Sequence, residues 1–337
     1  MSLLSVEDFV SARARIADRI HCTPIQTATL LGEAIGAPLR LKCENFQKTG
    51  SFKVRGALNK LMQLSPEDRE RGVITISAGN HAQAVAWAAR ATGIPCTVVM
   101  PAAASKIKAA ATADYGADVI MHGDVHEAFD KVHQLERERN LKFIHPFDDP
   151  QIIAGAGSVG LEILEQCPDV RTVVVPIGGG GHISGIAGAI KTQRPDIRIV
   201  GVEPEASCAM RQSLDAGHAV HLESMGTTVA DGLAPPMVGE LNYEFVKAYV
   251  EDVVLVSDEE ILRGLEAIFT RAKLVTEPSG AASVGALLCG RIPLAADDRV
   301  LAVLSGGNIG LEKLATLVGA WPAATGEAPR PRISGSR

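Results

Sequence analysis

Short β-branched runs alternate with longer Ala-rich stretches along most of the chain. Val73-Ile74-Thr75-Ile76, Cys96 to Met100, Asp118 to Met121 and Lys142 to Ile144 read as strands. Asn80 to Thr92, Ile107 to Tyr115 and Val125 to Glu138 carry helical spacing between them. The strand runs are continuously apolar rather than alternating, which predicts sheets covered on both faces. Strand and helix in succession predict βαβ units and a parallel sheet. A second series follows: a helix from about Gln151 to Gln166, a strand over Thr172 to Val175, and a helix from about His182 to Lys191. Arg198 to Val202, Val253 to Val256 and Val300 to Leu304 are further strands, each followed by a helical pattern. The seam between the two α/β series falls at His145-Pro146-Phe147-Asp148-Asp149-Pro150. Met1 to Ile20 carries charges at Glu7, Asp8, Arg13, Arg15, Asp18 and Arg19, an amphipathic helix pattern rather than a signal peptide. Residues 322–337, rich in Pro, Gly, Ala, Arg and Ser, are expected to be disordered.

Composition narrows this picture. The chain has 337 residues, enough for about two domains, and 46% apolar residues, enough to exclude disorder over most of its length. Aromatics are only 4%, so the core must be built from Ala, Val, Ile and Leu. A net charge of -6 without a Lys/Arg cluster argues against a nucleic-acid surface. The cysteines at 22, 43, 96, 167, 208 and 289 form no CxxC, which leaves no zinc knuckle or dithiol motif and favours reduced, mostly buried thiols. Arg90, Gly93 and Pro95 interrupt the most Ala/Val-rich stretch, so it cannot span a bilayer. A cytoplasmic protein without a membrane or nucleic-acid partner is expected.

Three Gly-rich turns follow strands. Gly178-Gly179-Gly180-Gly181 lies between a buried strand and a helix, where backbone N–H groups can converge on an anion at a positive helix end. One or two glycines would suffice for a bare turn. A phosphate is therefore the favoured ligand, although the Lys and Ser/Thr of a P-loop are missing. Ser77-Ala78-Gly79-Asn80-His81 offers N–H groups and two polar side chains, and fits carboxylate or phosphate binding and helix capping equally. Ser305-Gly306-Gly307-Asn308 follows the last strand, where open α/β sheets bind ligands.

Two patterns are set aside. Gly155-Ala156-Gly157-Ser158-Val159-Gly160 matches G-x-G-x-x-G, yet it follows a helix start, and Val175 stands where an acidic residue is needed. It reads as close helix packing, leaving a nicotinamide dehydrogenase improbable. His122 and His126 have metal-ligand spacing, but Asp124 and Glu127 form a capping pattern that puts His122 outside the helix. Phe143 and Phe147 read as core.

Lys53 falls in the first turn of a helical pattern reaching Leu64. The positive helix end and burial would both lower its pKa, as a Schiff-base lysine requires. On spacing alone a surface lysine is the simpler reading.

Phe52-Lys53 within K-T-G-S-F-K-x-R-G-A, then S-A-G-N-H-A-Q, G-G-G-G and S-G-G-N occur in one order. Together they resemble the fold type II pyridoxal-phosphate enzymes, specifically the serine/threonine dehydratase and serine racemase group, over roughly residues 5 to 320. Asp231-Gly232 and Glu277-Pro278-Ser279-Gly280 are similar to later signatures of that group.

The resemblance implies a tryptophan synthase β-like α/β fold of two domains, each a mostly parallel sheet flanked by helices. The small domain would span 48–147 and the large, cofactor-binding one 1–47 and 148–321. It implies pyridoxal 5′-phosphate held by Lys53 as a Schiff base, with Phe52 packed on it. Gly178, Gly179, Gly180 and Gly181 would cradle its phosphate, Asn80 would bond its 3′-oxygen and Ser305 its pyridine nitrogen. A neutral hydroxyl there limits the ring as an electron sink and favours β-elimination. Ser77, Ala78, Gly79, Asn80 and His81 would receive the substrate carboxylate, and Asp231 would border the substrate. Lys53 would then remove the Cα proton as general base, the β-hydroxyl would leave, and hydrolysis would give a 2-oxo acid and ammonia. A homodimer is implied as well.

Departures from the pattern refine these expectations. Ala78 stands where racemases of the group carry a second serine. Glu203 fits the group's divalent-cation site, but Ala209 replaces an Asp, and a hard cation wants several oxygen ligands. No metal is therefore expected. The chain ends soon after the last helix, which leaves no room for the regulatory domain of biosynthetic threonine dehydratases and points to degradation. L-Threonine and L-serine are the default substrates. Threo-3-hydroxyaspartate, phenylserine, racemisation within the same family and a non-catalytic binding module are the alternatives.

Overall fold

A computed structural model describes residues 3–224, 226–295 and 297–319, so the expected tail at 322–337 lies outside the described residues. Ten strands form two sheets. They are β1 (Ile25–Thr27), β2 (Leu39–Cys43), β3 (Val73–Ile76), β4 (Cys96–Met100), β5 (Asp118–Met121), β6 (Lys142–Phe143), β7 (Thr172–Pro176), β8 (Arg198–Pro204), β9 (Asp252–Val256) and β10 (Val300–Leu304). The larger sheet has the order β1-β2-β10-β7-β8-β9 and the smaller β5-β4-β3-β6. Every pairing is parallel except β1 with β2.

The continuous apolar strands β3, β4, β7, β8 and β10 are buried on both faces, as their composition requires, whereas β5 and β6 at the edges of the smaller sheet are partly exposed. In the smaller sheet Val73 packs with the helices Lys53–Leu61 and Asn80–Thr92, while Ile74 and Ile76 meet Ala128, Val132 and Leu135 on the other face. In the larger sheet Val173 and Val175 face Ile183 and Ile186, and Val174 faces the other way towards Ala282 and Val284. Sequence patterning missed β1 and β2, because Arg40 and Lys42 interrupt the apolar run of β2. β2 is nevertheless an interior strand, pairing with β10 from Val300↔Leu39 to Leu304↔Cys43.

Gly155, Gly157 and Gly160 lie inside the helix Pro150–Gln166. A Cβ at Gly155 would stand 2.5 Å from Arg55 O, one at Gly157 2.3 Å from Phe9, and one at Gly160 2.8 Å from Ile186 O. The motif is thus a helix-packing face. Asp124 and Glu127 form the expected capping box of the helix Val125–Arg139. Among the described residues no helix is long and apolar enough to cross a membrane. The turns after β3, β7 and β10 leave the carboxyl ends of their strands and converge where the two sheets meet, as open α/β sheets place ligands.

Candidate active site

Lys53 opens the helix Lys53–Leu61. Its Nζ donates to the Pro146 carbonyl at 3.0 Å, which brings it to the seam between the sheets. Burial lowers its pKa to about 8. The amine therefore holds a substantial neutral fraction near neutrality, as a nucleophile requires. Three histidines surround it. Burial pushes His81 and His182 down to about 3 and lowers His145, and the Lys53 charge adds to each shift. All three are neutral at working pH. His81 Nε2 lies 3.3 Å from Ile144 O, so that nitrogen carries the hydrogen. His145 Nδ1 accepts from the Asp148 amide at 2.8 Å. His182 stacks on Phe52, with ring centroids 3.6 Å apart.

The glycine turn sits against the same seam. No backbone or side-chain acceptor among the described residues takes the amides of Gly178, Gly179 and Gly180. Gly180 has φ +98°, the left-handed region that favours glycine. Part of the need for glycine is internal. A Cβ at Gly179 would meet the Phe147 ring at 2.3 Å, and one at Gly181 Phe147 O at 2.9 Å. At Gly180 it would meet Asn242 at 2.7 Å. The space beside these residues holds protein, and the unused amides remain for an anion. Free amides at the start of the helix Gly181–Lys191 fit a phosphate group.

In the Ser77–His81 turn the Gly79 amide is taken by Ser77 Oγ at 3.1 Å, while the amides of Ala78, Asn80 and His81 donate to no acceptor among the described residues. The amides of Asn80 and His81 are the first of the 13-residue helix Asn80–Thr92, and that of Ala78 precedes its N-cap Gly79, all at the positive end. Asn80 Nδ2 donates to Glu277 Oε1 at 2.6 Å. Ser305 is buried, its carbonyl accepts from the Phe52 amide at 3.1 Å, and its hydroxyl has no partner among the described residues. Asp231 lies at the rim, paired with Lys108 at 3.2 Å and Lys313 at 3.6 Å. Lys53, Phe52, Asn80, Ser305 and the Gly178–Gly181 turn are therefore brought together, with the Ser77–His81 turn beside them and Asp231 at the mouth.

The sequence reading missed several residues of this region. Glu277 is buried, and its burial raises its pKa to about 7. Arg55 is fully buried and reaches Glu44 at 2.7 Å and Glu162 at 2.6 Å, while Lys42 joins Glu162 at 2.6 Å. Burial alone would raise the Glu44 carboxyl, but Arg55, together with Lys42 and the Thr23 hydroxyl, more than offsets this and holds it below its ordinary value. This ionic cluster fastens the helix of Lys53 to β2 and to the helix Pro150–Gln166. Arg55 and Glu44 were visible in the Lys53 motif, but their burial depends on tertiary packing.

The region similar to the group's divalent-cation site, where Ala209 departs from the pattern, is poorly suited to a cation. Both Glu203 oxygens accept helix amides, from Met210 at 2.9 Å and Arg211 at 2.8 Å, and Ala209 offers no side-chain donor. Glu205 turns outward towards Arg291, 3.7 Å away. A hard cation would find too few oxygens there.

Residues 16–306 match the family model described as "Pyridoxal-phosphate dependent enzyme". The chain is 42% identical to an L-threonine ammonia-lyase of Thermotoga maritima over 94% of its length and 78% of the relative's. It is also 42% identical to a catabolic L-threonine dehydratase of Escherichia coli, over 94% of this chain and 96% of that one. Among solved structures, maize serine racemase superposes with a TM-score of 0.89 at 36% identity, covering 95% of this chain and 98% of that one. A threonine deaminase from T.th. does so with 0.85 at 40% identity, covering 91% and 99%.

Proposed function

The chain belongs to the fold type II pyridoxal-phosphate dependent enzymes, and we propose that within them it is an ammonia-lyase that converts L-threonine, and L-serine, to the 2-oxo acid and ammonia. One observation carries the reading. Lys53 Nζ rests on Pro146 O, and the next residue, Phe147, packs on the glycine turn with free amides. An amine of lowered pKa and an anion-binding turn thus share one seam. Relatives at 42% identity that act on threonine supply the substrate class.

Pyridoxal phosphate, when bound, supplies an aldehyde that condenses with amines and a conjugated ring that takes up the electron pair released at Cα. Lys53 would hold the cofactor, the Gly178–Gly181 amides its phosphate, Asn80 its ring oxygen and Ser305 its ring nitrogen. The free amides of Ala78, Asn80 and His81 would bind the substrate carboxylate and turn the Cα–H towards Nζ. Neutral Lys53 takes that proton, since it can accept one and later return it near pH 8. The β-hydroxyl would leave as water, taking up one proton to match the one Lys53 removes, and the released enamine would hydrolyse to the oxo acid and ammonia. Neutral His81, His145 and His182 add no positive charge beside Nζ.

Racemisation needs a second acid–base group on the opposite face of Cα, and Ala78 has none to offer. The good superposition on serine racemase reflects shared fold and does not favour that reaction. We assign the small domain to 48–147, the larger to 1–47 with 148–321, and the protein to the cytoplasm. A homodimer would bury exposed apolar side chains such as Leu30 (52% exposed), Phe46 (45%), Phe269 (44%) and Val275 (47%), whose carbonyl accepts from Asn45 Nδ2 at 2.9 Å. The test is 2-oxo acid release across a panel of β-hydroxy amino acids, with Lys53→Ala as control. Rapid release from threonine and serine, lost in the variant, is expected. Release only from a bulkier or acidic member would sink the threonine assignment.

A further inference from the structure

Asn80 is held from both sides by the larger sheet's own turns. Its Nδ2 donates to Glu277 Oε1 at 2.6 Å, and its Oδ1 accepts from Asn308 Nδ2 at 2.8 Å. Asn308 Nδ2 also donates to Thr49 O at 2.7 Å. A carboxamide offers one oxygen and two N–H hydrogens, and which end points where is set by its partners. Here the polarity has a fixed start. The Thr49 carbonyl can only accept, so Asn308 must present its nitrogen, and Asn80 must answer with oxygen. That leaves Asn80 Nδ2 facing Glu277. One hydrogen goes to the carboxylate, and the second meets no acceptor among the described residues.

Glu277 is suited to this task by its own placement. It stands at the N-cap position of the helix Pro278–Leu288 without a side-chain capping bond, is only 3% exposed, and lies against the Ser305–Gly306 turn, where a Cβ at Gly306 would stand within 2.4 Å of its Oε1. A buried carboxyl oxygen is costly unless it is hydrogen-bonded, and in either protonation state Glu277 keeps an oxygen able to accept from Asn80 Nδ2.

We propose that Glu277 and Asn308 are positioning residues that lock the Asn80 carboxamide in one of its two flips, so that its remaining N–H is presented to the cofactor's ring oxygen. The inference rests on the reading of Asn80 as a cofactor ligand. It adds two residues with no assigned role and makes the orientation of Asn80 a property of the larger sheet, whereas Asn80 itself begins a helix of the smaller one.

The experiment is equilibrium dialysis of apo-protein with pyridoxal phosphate, giving Kd for Asn80→Ala, Glu277→Ala, Glu277→Gln, Asn308→Ala and the double variant Asn80→Ala/Glu277→Ala. Glu277→Ala and Asn308→Ala are expected to weaken binding about tenfold or more. Glu277→Gln restores most of the affinity, because its carboxamide oxygen accepts the same N–H. The double variant binds as Asn80→Ala does, because Glu277 acts only through Asn80. An additional loss in the double variant equal to that of Glu277→Ala alone would make the role merely structural and overturn the inference. Wild-type affinity in Glu277→Ala, beside a weakened Asn80→Ala, overturns it too. Wild-type affinity in Asn80→Ala instead overturns the reading of Asn80 as a ligand.

Discussion

Lys53 acts in a setting where its amine is easily discharged, and burial is the cause. The neutral amine is the form that condenses with an aldehyde. The rate of cofactor uptake by apo-protein should therefore rise through a midpoint near pH 8 rather than near the ordinary lysine value of 10.5. Stopped-flow absorbance at a series of pH values measures this, and a midpoint at the ordinary lysine value would contradict a buried Lys53. The glycine turn makes a steric prediction. Gly179→Ala forces a methyl to within 2.3 Å of the Phe147 ring, so it should cost about 1–3 kcal/mol in urea unfolding. Phe147 belongs to the seam that carries Pro146, so the same substitution should also loosen the hold on Lys53. The sequence motif named Lys53 and the glycines. It could not tell that the glycines make room for an aromatic ring as well as for a ligand, because that contact joins residues 147 and 179.

The helix of Lys53 is anchored by charge as much as by apolar packing. Arg55, Glu44, Glu162 and Lys42 are all buried and mutually paired. Removing one member of such a cluster strands the others, at a cost of about 3–5 kcal/mol. Arg55→Met should therefore destabilise the protein by that amount in chemical denaturation and lower cofactor affinity through displacement of the helix. The helix Ala209–Ala216 supplies a contrasting case. Its first amides engage both oxygens of Glu203, and Ala209 adds no side-chain oxygen, so a cation would find too few ligands. Adding magnesium or a chelator should leave the melting temperature unchanged, as differential scanning fluorimetry would show. Periodicity found eight of the ten strands and most of the helices, because apolar runs in βαβ units are continuous, but it missed the helices Thr29–Ile35, Pro66–Arg71, Glu240–Tyr249 and Pro278–Leu288. It failed on β2, whose Lys42 is wholly buried. A lysine in a strand reads as solvent-facing until its carboxylate partner, 120 residues away, is known.

The cleft is closed at its mouth by an ion pair between the two sheets. Lys108 follows β4, Asp231 follows β8, and both side chains are partly exposed. Such pairs contribute little to stability, about 0–1 kcal/mol. Lys108 Nζ also lies 3.9 Å from the place of a Cβ on Gly79, in the turn with free amides. Lys108→Ala should therefore leave unfolding within about 1 kcal/mol of the unsubstituted protein, while raising the KM for threonine. An unchanged KM would show that Lys108 does not help attract the substrate carboxylate.

The sequence by itself determined the class of sheet, the succession of elements, the family and the reactive lysine. These follow from local composition and from motifs that keep their order along the chain. Tertiary structure decided how distant residues share one environment. Burial lowers the Lys53 pKa, Arg55 bridges Glu44 and Glu162, and Glu277 with Asn308 orients Asn80. Each depends on exclusion of water and on distances of a few ångströms between segments far apart in sequence. Hydrophobic pattern does not encode such distances, and only the assembled sheets set them.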